Sequence, residues 1–175
     1  MLTLNVSAPA FSLEGVCSGA QRRYQLADAQ GRWLVLFFYP ADFTFLCPTE
    51  ILGFQQRRAE FEANSAMVFA ISVDGVESHK EWARELGGID FPLLSDPGAQ
   101  VCRAYGVLNE QDQRAHRATV IVSRQGEIAY LVVSPMNVGR SVGETLRVVQ
   151  ALQSGRLCPA DWRPGQPTGE PSLRR

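Results

Sequence analysis

At 175 residues, 45% of them hydrophobic, the chain has the size of one domain and enough apolar side chains for a core, which excludes disorder of the whole. Seventeen basic against eighteen acidic residues give a formal net charge of −1, so no strong field draws nucleic acid or an anionic membrane, and neither is expected as a partner. No apolar run reaches the ~20 residues of a membrane span, and Met1-Leu2-Thr3-Leu4-Asn5 lacks the charged-then-apolar pattern of a signal peptide, so the expected location is cytoplasmic.

Residues 33–39 (WLVLFFY) form a continuous apolar run, which predicts a strand buried on both faces. Pro40 ends it. Residues 67–73 (MVFAISV) predict a second such strand. Between them Ile51, Phe54, Arg58 and Phe61 recur at three and four residues, the spacing of a helix with one apolar face. A strand–helix–strand unit makes the two strands parallel. Residues 77–86 predict another helix, stopped by Gly87-Gly88. A short strand over 91–94 and a short helix over 97–105 follow.

Residues 118–122 (ATVIV) and 128–133 (IAYLVV) flank Ser123-Arg124-Gln125-Gly126 and read as a hairpin. Residues 141–152 are amphipathic, with Val142, Leu146, Val149 and Leu152 on one face. Ser141 is placed to cap that helix, and Glu144 to complete a capping box. The order predicts an α/β sandwich with a mixed central β-sheet flanked by helices, over residues 1–153. Residues 154–175 carry four prolines and three glycines and read as a loosely held tail rather than a helix.

The four cysteines are Cys17, Cys47, Cys102 and Cys158. None forms a Cys-x-x-Cys pair, and neither His79 nor His116 stands beside one, so no metal site is expected. Residues 40–50 (PADFTFLCPTE) join the first buried strand to its helix. Cys47 therefore sits at or near a helix N-terminus, where Pro48 is well suited. Helix N-termini and nearby cations favour the thiolate, which is the nucleophile. Attack on a peroxide gives a sulfenic acid, with which a second thiol can condense to a disulfide. Position alone leaves an equal alternative: Cys47 as a small buried hydrophobe.

Pro40, Thr44, Cys47 and Pro48 fill the pattern P-x-x-x-T-x-x-C-P. With them stand Thr49-Glu50, Ser72-Val73-Asp74, Ser78-His79, Trp82, residues 92–96 (PLLSD), Arg117-Ala118-Thr119, residues 138–142 (VGRSV) and residues 157–162 (LCPADW). Spread over nearly the whole chain, these resemble the peroxiredoxins. The likeness is to the typical two-cysteine group, which includes the peroxidase subunit of bacterial alkyl hydroperoxide reductase.

The resemblance implies a thioredoxin-like fold and a thiol-dependent peroxidase acting on hydrogen peroxide and organic hydroperoxides. It makes Cys47 the peroxidatic nucleophile. Thr44 would hydrogen-bond the thiolate and the peroxide, Pro40 would pack over Cys47, and Arg117 would set its guanidinium beside the sulfur. Glu50 and Arg140 would orient Arg117. Cys158 in the tail would be the resolving cysteine, forming an intersubunit disulfide in a homodimer. A decamer, a ring of five dimers, is common in the family. Sulfur does the redox chemistry, so no metal, haem or flavin cofactor is implied, and a thioredoxin-like or flavoprotein disulfide reductant would restore the thiols. The residues alone permit plainer roles: Pro40 a strand terminator, Thr44 a cap, Arg117 a solvated strand end, Glu50 and Arg140 a surface pair. They also leave open an intrachain disulfide, a one-cysteine peroxidase resolved by an external thiol, and a redox-regulated scaffold. Cys17 and Cys102 match no catalytic position and are expected to pack in the core. Residues 87–90 (GGID) lack the Gly-Gly-Leu-Gly loop of overoxidation-prone relatives, and residues 171–175 (PSLRR) lack their Tyr-Phe pair, which implies resistance to overoxidation.

Overall fold

In the computed structural model, which describes residues 3–170, the first elements are two strands that the periodicity does not signal. β1 (Ser12–Cys17) and β2 (Ala20–Gln25) pair as an antiparallel hairpin. Only Tyr24 of β2 is buried, so the strand carries no apolar alternation to read. Its turn is legible only in dihedrals: Ser18 (φ 48) and Gly19 (φ 77) are both left-handed, the twist a two-residue hairpin needs.

A 3-10 turn (Leu26–Ala29) leads to β3 (Trp33–Phe38), buried at every position. Then come α1 (Cys47–Ala63), β4 (Ala66–Ser72), α2 (Val76–Glu85), β5 (Leu93–Ser95) and α3 (Gln100–Ala104). A two-stranded ribbon, β6 (Leu108–Asn109) and β7 (Arg114–Ala115), precedes β8 (Arg117–Val122), β9 (Ile128–Ser134) and α4 (Val142–Ser154). The main sheet has the order β2-β1-β5-β4-β3-β8-β9. β3 runs parallel to β4 and antiparallel to β8. The predicted strands and helices over residues 33–154 are all present, within a few residues of their expected ends.

Alternation along β3 builds two cores. Leu34, Leu36 and Phe38 pack with Phe69, Ile71, Cys102 and Tyr105 on one side. Val35 and Phe37 face the other side, with Ile51, Phe54 and Phe61 of α1, Trp82 of α2, and Leu146 and Val149 of α4. Each such fully buried side chain contributes roughly 1.5–3 kcal/mol of transfer free energy. The result is a thioredoxin-like α/β sandwich.

Ser141 caps α4 through its Oγ, which accepts from Glu144 N at 3.1 Å. The expected capping box is only half made, because the Glu144 carboxylate turns to Arg147, whose Nε and Nη2 approach at 2.6 and 2.7 Å. α4 ends at Gly155, left-handed at φ 63. Beyond it the chain is not helical, but it is more tightly held than its composition suggests. Leu157 and Gly169 exchange backbone hydrogen bonds of 3.0 and 2.9 Å. Trp162 is buried, donates Nε1–H to the Gln166 carbonyl at 3.0 Å, and offers its own carbonyl to Arg147. The missing aromatic pair concerns residues 171–175, which lie outside the described residues. Among the described residues no helix is long and apolar enough to cross a membrane.

Candidate active site

The carboxyl end of β3 faces the start of α1, and the loop 40–46 crosses between them. Cys47 is the first residue of α1 and is fully buried. Leu46 stands at the cap position without a side-chain bond, and Pro48 follows in the first turn, where its missing N–H leaves nothing unpaired. Thr44 Oγ1 accepts the Cys47 N–H and donates to the Ala41 carbonyl, both at a long 3.4 Å. Pro40 is buried at the head of the same loop. The positive end of the α1 dipole thus acts at Cys47.

The antiparallel register that sets Phe38 opposite Ala118 brings Arg117, the first residue of β8, to the same sheet end. Its Nη1 lies 3.5 Å from Cys47 Sγ and 2.7 Å from Glu50 Oε2. Its Nε donates to the Met136 carbonyl at 2.8 Å. Glu50, one turn into α1 from Cys47, is itself buried. It also accepts from Arg140: the backbone N at 2.8 Å, Nε at 3.0 Å and Nη2 at 3.1 Å. Arg140 Nη1 donates to the carbonyls of Phe38 (2.7 Å) and Ala118 (2.6 Å), and the guanidinium lies 3.6 Å over the Phe37 ring. Burial pulls Arg140 below the usual guanidinium range, and the Glu50 carboxylate opposes that pull.

Two buried guanidiniums and one carboxylate leave one positive charge beside Cys47. A buried charge is costly unless paired, and the group that faces this one is the Cys47 sulfur, 3.5 Å from Arg117 Nη1. Among the described residues Arg117 Nη2 makes no hydrogen bond, so it is available to a second anion or an oxygen arriving at the sulfur. The constellation is suited to nucleophilic sulfur chemistry in which negative charge passes from sulfur to a bound oxygen.

A model of the AhpC/TSA family matches residues 4–131. Peroxiredoxin prdx-2 of Caenorhabditis elegans is 41% identical, across 95% of this chain and 88% of its own. A mitochondrial thioredoxin-dependent peroxide reductase of Bos taurus is 44% identical, across 94% of this chain and 68% of its own. The crystal structure of a reduced 2-Cys peroxiredoxin from Plasmodium vivax superposes with a TM-score of 0.91 at 32% identity, covering 97% of this chain and 93% of the other. The chain belongs to the AhpC/TSA family: it is a peroxiredoxin.

As a peroxiredoxin of the typical two-cysteine kind, it is a thiol-dependent peroxidase. The fold brings Cys47, Thr44, Glu50, Arg117 and Arg140 together, from positions spread over almost a hundred residues. It does not bring Cys158 to them. Helices α1 and α4 lie side by side and point the same way. A Cβ on Gly53 would come within 3.0 Å of Val142 Cγ2 at the start of α4, while Gln153 near the end of α4 donates to the carbonyl of Asn64, which caps α1. Cys158 Sγ rests 3.3 Å from Ser154 Oγ, half-buried in a surface cavity of about 480 Å³ beside Tyr130, Arg147 and Leu152. It is therefore near the far end of α1 from Cys47, and a helix of that length spans about 25 Å.

All four cysteines of the peroxiredoxin are free thiols. Cys102 is fully buried, and burial, with the Asp96 carboxylate beside it, pushes its thiol far above the ordinary range. Cys17 is half-buried near the end of the β1–β2 hairpin. Two features escape the sequence reading. The Met136 carbonyl that fixes Arg117 is a backbone group and has no sequence signal. The other is a buried polar cluster of Tyr39, Asp42, Ser78 and His79 behind the Cys47 loop. Its sequence signals are Asp42 within residues 40–50 and Ser78-His79 among the resembling motifs, and neither shows that they meet.

Proposed function

We propose that Cys47 reduces hydrogen peroxide and organic hydroperoxides by a two-cysteine cycle completed by Cys158 of a second copy of the chain. The Cys47 thiolate attacks one peroxide oxygen. The O–O bond breaks, the leaving RO⁻ takes a proton to become ROH, and Cys47 becomes a sulfenic acid. The Cys158 thiol attacks the sulfenate sulfur, water leaves, and a Cys47–Cys158 disulfide remains. A thioredoxin-type dithiol then reduces it by exchange. The observation that carries this reading is the 3.5 Å approach of Arg117 Nη1 to the buried Cys47 Sγ within a network that leaves one positive charge. In this scheme Arg117 Nη1 steadies the sulfur and Nη2 the peroxide oxygens, Thr44 hydrogen-bonds both, and Pro40 keeps water from the sulfur. Glu50 and Arg140 hold Arg117 in place.

The separation of about 25 Å supports an intersubunit rather than an intrachain disulfide. The outer edge of β9 supports a homodimer. It ends the main sheet with exposed Val132 and Val133, and an unpaired apolar edge invites another chain. Exposed Phe43 and Phe45 near Cys47 offer further apolar surface for a ring of dimers. The tail 154–175 is the segment that would move with Cys158. The bovine relative's dependence on thioredoxin supports a dithiol protein as the reductant, and the need for reduced thiols suits the cytoplasm.

The test is the intact mass of the denatured protein after one equivalent of hydrogen peroxide per chain, with remaining thiols blocked and no reductant. A mass of two chains, linked Cys47 to Cys158 by peptide mapping, is the expected result. A monomer carrying a sulfenate, or unchanged thiols, overturns it. Excess peroxide during turnover is expected to give little sulfinate, in keeping with the absent Gly-Gly-Leu-Gly loop.

A further inference from the structure

The loop that delivers Cys47 is held against its own preference. Phe43 is left-handed at φ 54, a conformation that a residue with a Cβ adopts at a cost. Phe45 is 90% exposed, so burial of its ring does not hold the loop. The hold comes from Asp42, whose side chain is buried and whose carboxylate takes three donors: Tyr39 OH on Oδ1 at 2.8 Å, and on Oδ2 Ser78 Oγ at 2.7 Å and His79 Nδ1 at 2.8 Å. The Asp42 backbone N–H adds a bond of 3.0 Å to Asp74 Oδ2, which Ser72 Oγ braces at 2.7 Å.

Each donor is itself committed. Burial and the Asp42 carboxylate push the Tyr39 phenol well above its ordinary value, so it stays protonated and donating. His79 is fully buried on α2, and its Nε2 has no partner among the described residues. Its Nδ1 meets Asp42 Oδ2 at 2.8 Å and lies 3.4 Å from the Tyr39 hydroxyl, so the polar contacts of the ring are all to this cluster. Trp82 stacks on Tyr39 at 5.6 Å and meets the Phe43 ring at 6.3 Å. No hydrogen bond of this cluster reaches Cys47, Arg117 or Glu50, so the cluster acts on the loop rather than on the chemistry.

Cys47 is fully buried, and a sulfenate there cannot meet a second thiol until the loop and the first turn of α1 let go. We infer that Asp42, held by Tyr39, Ser78 and His79, is the positioning residue that latches the strained Cys47 loop in its peroxide-reactive form, and that its release sets how fast the sulfenate passes to Cys158. The inference rests on the two-cysteine cycle above and adds what times it. A tight latch gives peroxide a well-placed thiolate but prolongs the sulfenate. A loose latch shortens the sulfenate's life and spares it a second oxidation.

The test follows the sulfenate itself. Reduced full-length protein is mixed with equimolar hydrogen peroxide, quenched at intervals with a thiol-blocking reagent and a sulfenate-trapping dione, and weighed intact. Ser78→Ala removes one hydrogen bond from the carboxylate and is expected to shorten the sulfenate lifetime at least about tenfold, the lower end for one hydrogen bond to a charge. Ser78→Thr keeps the hydroxyl and is expected to restore the wild-type lifetime. Asp42→Asn is expected to shorten it further and to slow sulfenate formation, because Cys47 is then less well held. Sulfinate yield at excess peroxide should fall in the same order. A sulfenate lifetime in Ser78→Ala equal to or longer than wild type, or a Ser78→Thr that behaves like Ser78→Ala, overturns the latch even if Asp42→Asn fails to fold. A wild-type chain that forms no linked dimer overturns the two-cysteine cycle and the latch with it. A wild type that links while Ser78→Ala keeps its lifetime overturns the latch alone.

Discussion

Glu50 holds Arg117 by the same nitrogen that Arg117 turns toward Cys47: Nη1 lies 2.7 Å from Glu50 Oε2 and 3.5 Å from Cys47 Sγ. One terminal nitrogen carries two hydrogens, so the carboxylate fixes the direction in which the second one points. Orientation of the active-site cation is thus a property of a residue on the same helix as the cysteine, one turn along.

Glu50→Gln tests that dependence. The amide keeps the shape but removes the carboxylate that bridges two buried guanidiniums, and its NH₂ meets N–H donors. Breaking a buried charge network by one partner costs about 3–5 kcal/mol. The expected result is an unfolding free energy, from urea titration, lowered by that amount and a slowed reaction of Cys47 with peroxide. An unchanged midpoint would mean that Arg117 and Arg140 find other partners.

Arg117→Lys separates charge from geometry. Lysine keeps the positive charge but has one nitrogen where Arg117 bonds Met136, Glu50 and Cys47 through two. Loss of one oriented donor at the site of charge development slows a reaction by about 10²–10³. Stopped-flow measurement of sulfenate formation should show that loss with the cooperative unfolding transition kept. A rate within a factor of a few of wild type would show that charge alone suffices.

The sequence reveals the centre of this molecule better than its margins, for physical reasons. β3 lies inside the sheet and is covered on both faces, so burial writes itself as an unbroken apolar run. β2 lies at the sheet edge with one buried side chain, so its sequence is mostly polar and carries no period. Cys47 is legible because helix start, proline and strand end coincide within residues 38–48. Arg117, Glu50 and Arg140 are legible only through family resemblance: their meeting depends on the register of β3 with β8, which no local pattern encodes. The Asp42–His79 contact is less legible still, since it joins a loop to a helix 37 residues away.

Stability should fall as the pH rises above neutrality. Tyr39, Tyr105 and Cys102 are all raised in the folded state, with desolvation the largest cause for each. Once the pH passes the ordinary values, about 8.5 for Cys and about 10 for Tyr, the unfolded chain loses protons that the folded chain keeps. The folded state then binds more protons, so unfolding becomes easier by up to about 1.4 kcal/mol per pH unit for each such group. Urea midpoints should be flat near pH 7 and decline through pH 9 to 10. Cys102→Ala should flatten the first part of the decline, and a slope unaltered by that change would show that Cys102 titrates normally.

The tail offers the last test, because Cys158 sits in a segment tied down at one aromatic residue. Trp162 is 6% exposed, its indole N–H closes a loop onto the Gln166 carbonyl, and its own carbonyl takes a bond from Arg147 of α4. Beyond it, among the described residues, the Leu157–Gly169 pair and an exposed Arg156–Glu170 ion pair close the loop, and exposed pairs contribute little. Removing a buried tryptophan costs about 3–5 kcal/mol, and here the loss falls on a segment that can open without the sheet. Trp162→Ala should therefore raise native-state trypsin cleavage after Arg156 by at least about a hundredfold, because cleavage follows the open population, while the main unfolding transition shifts far less. If the two shift together, the tail unfolds only with the whole domain, and Cys158 must reach its partner without leaving its place.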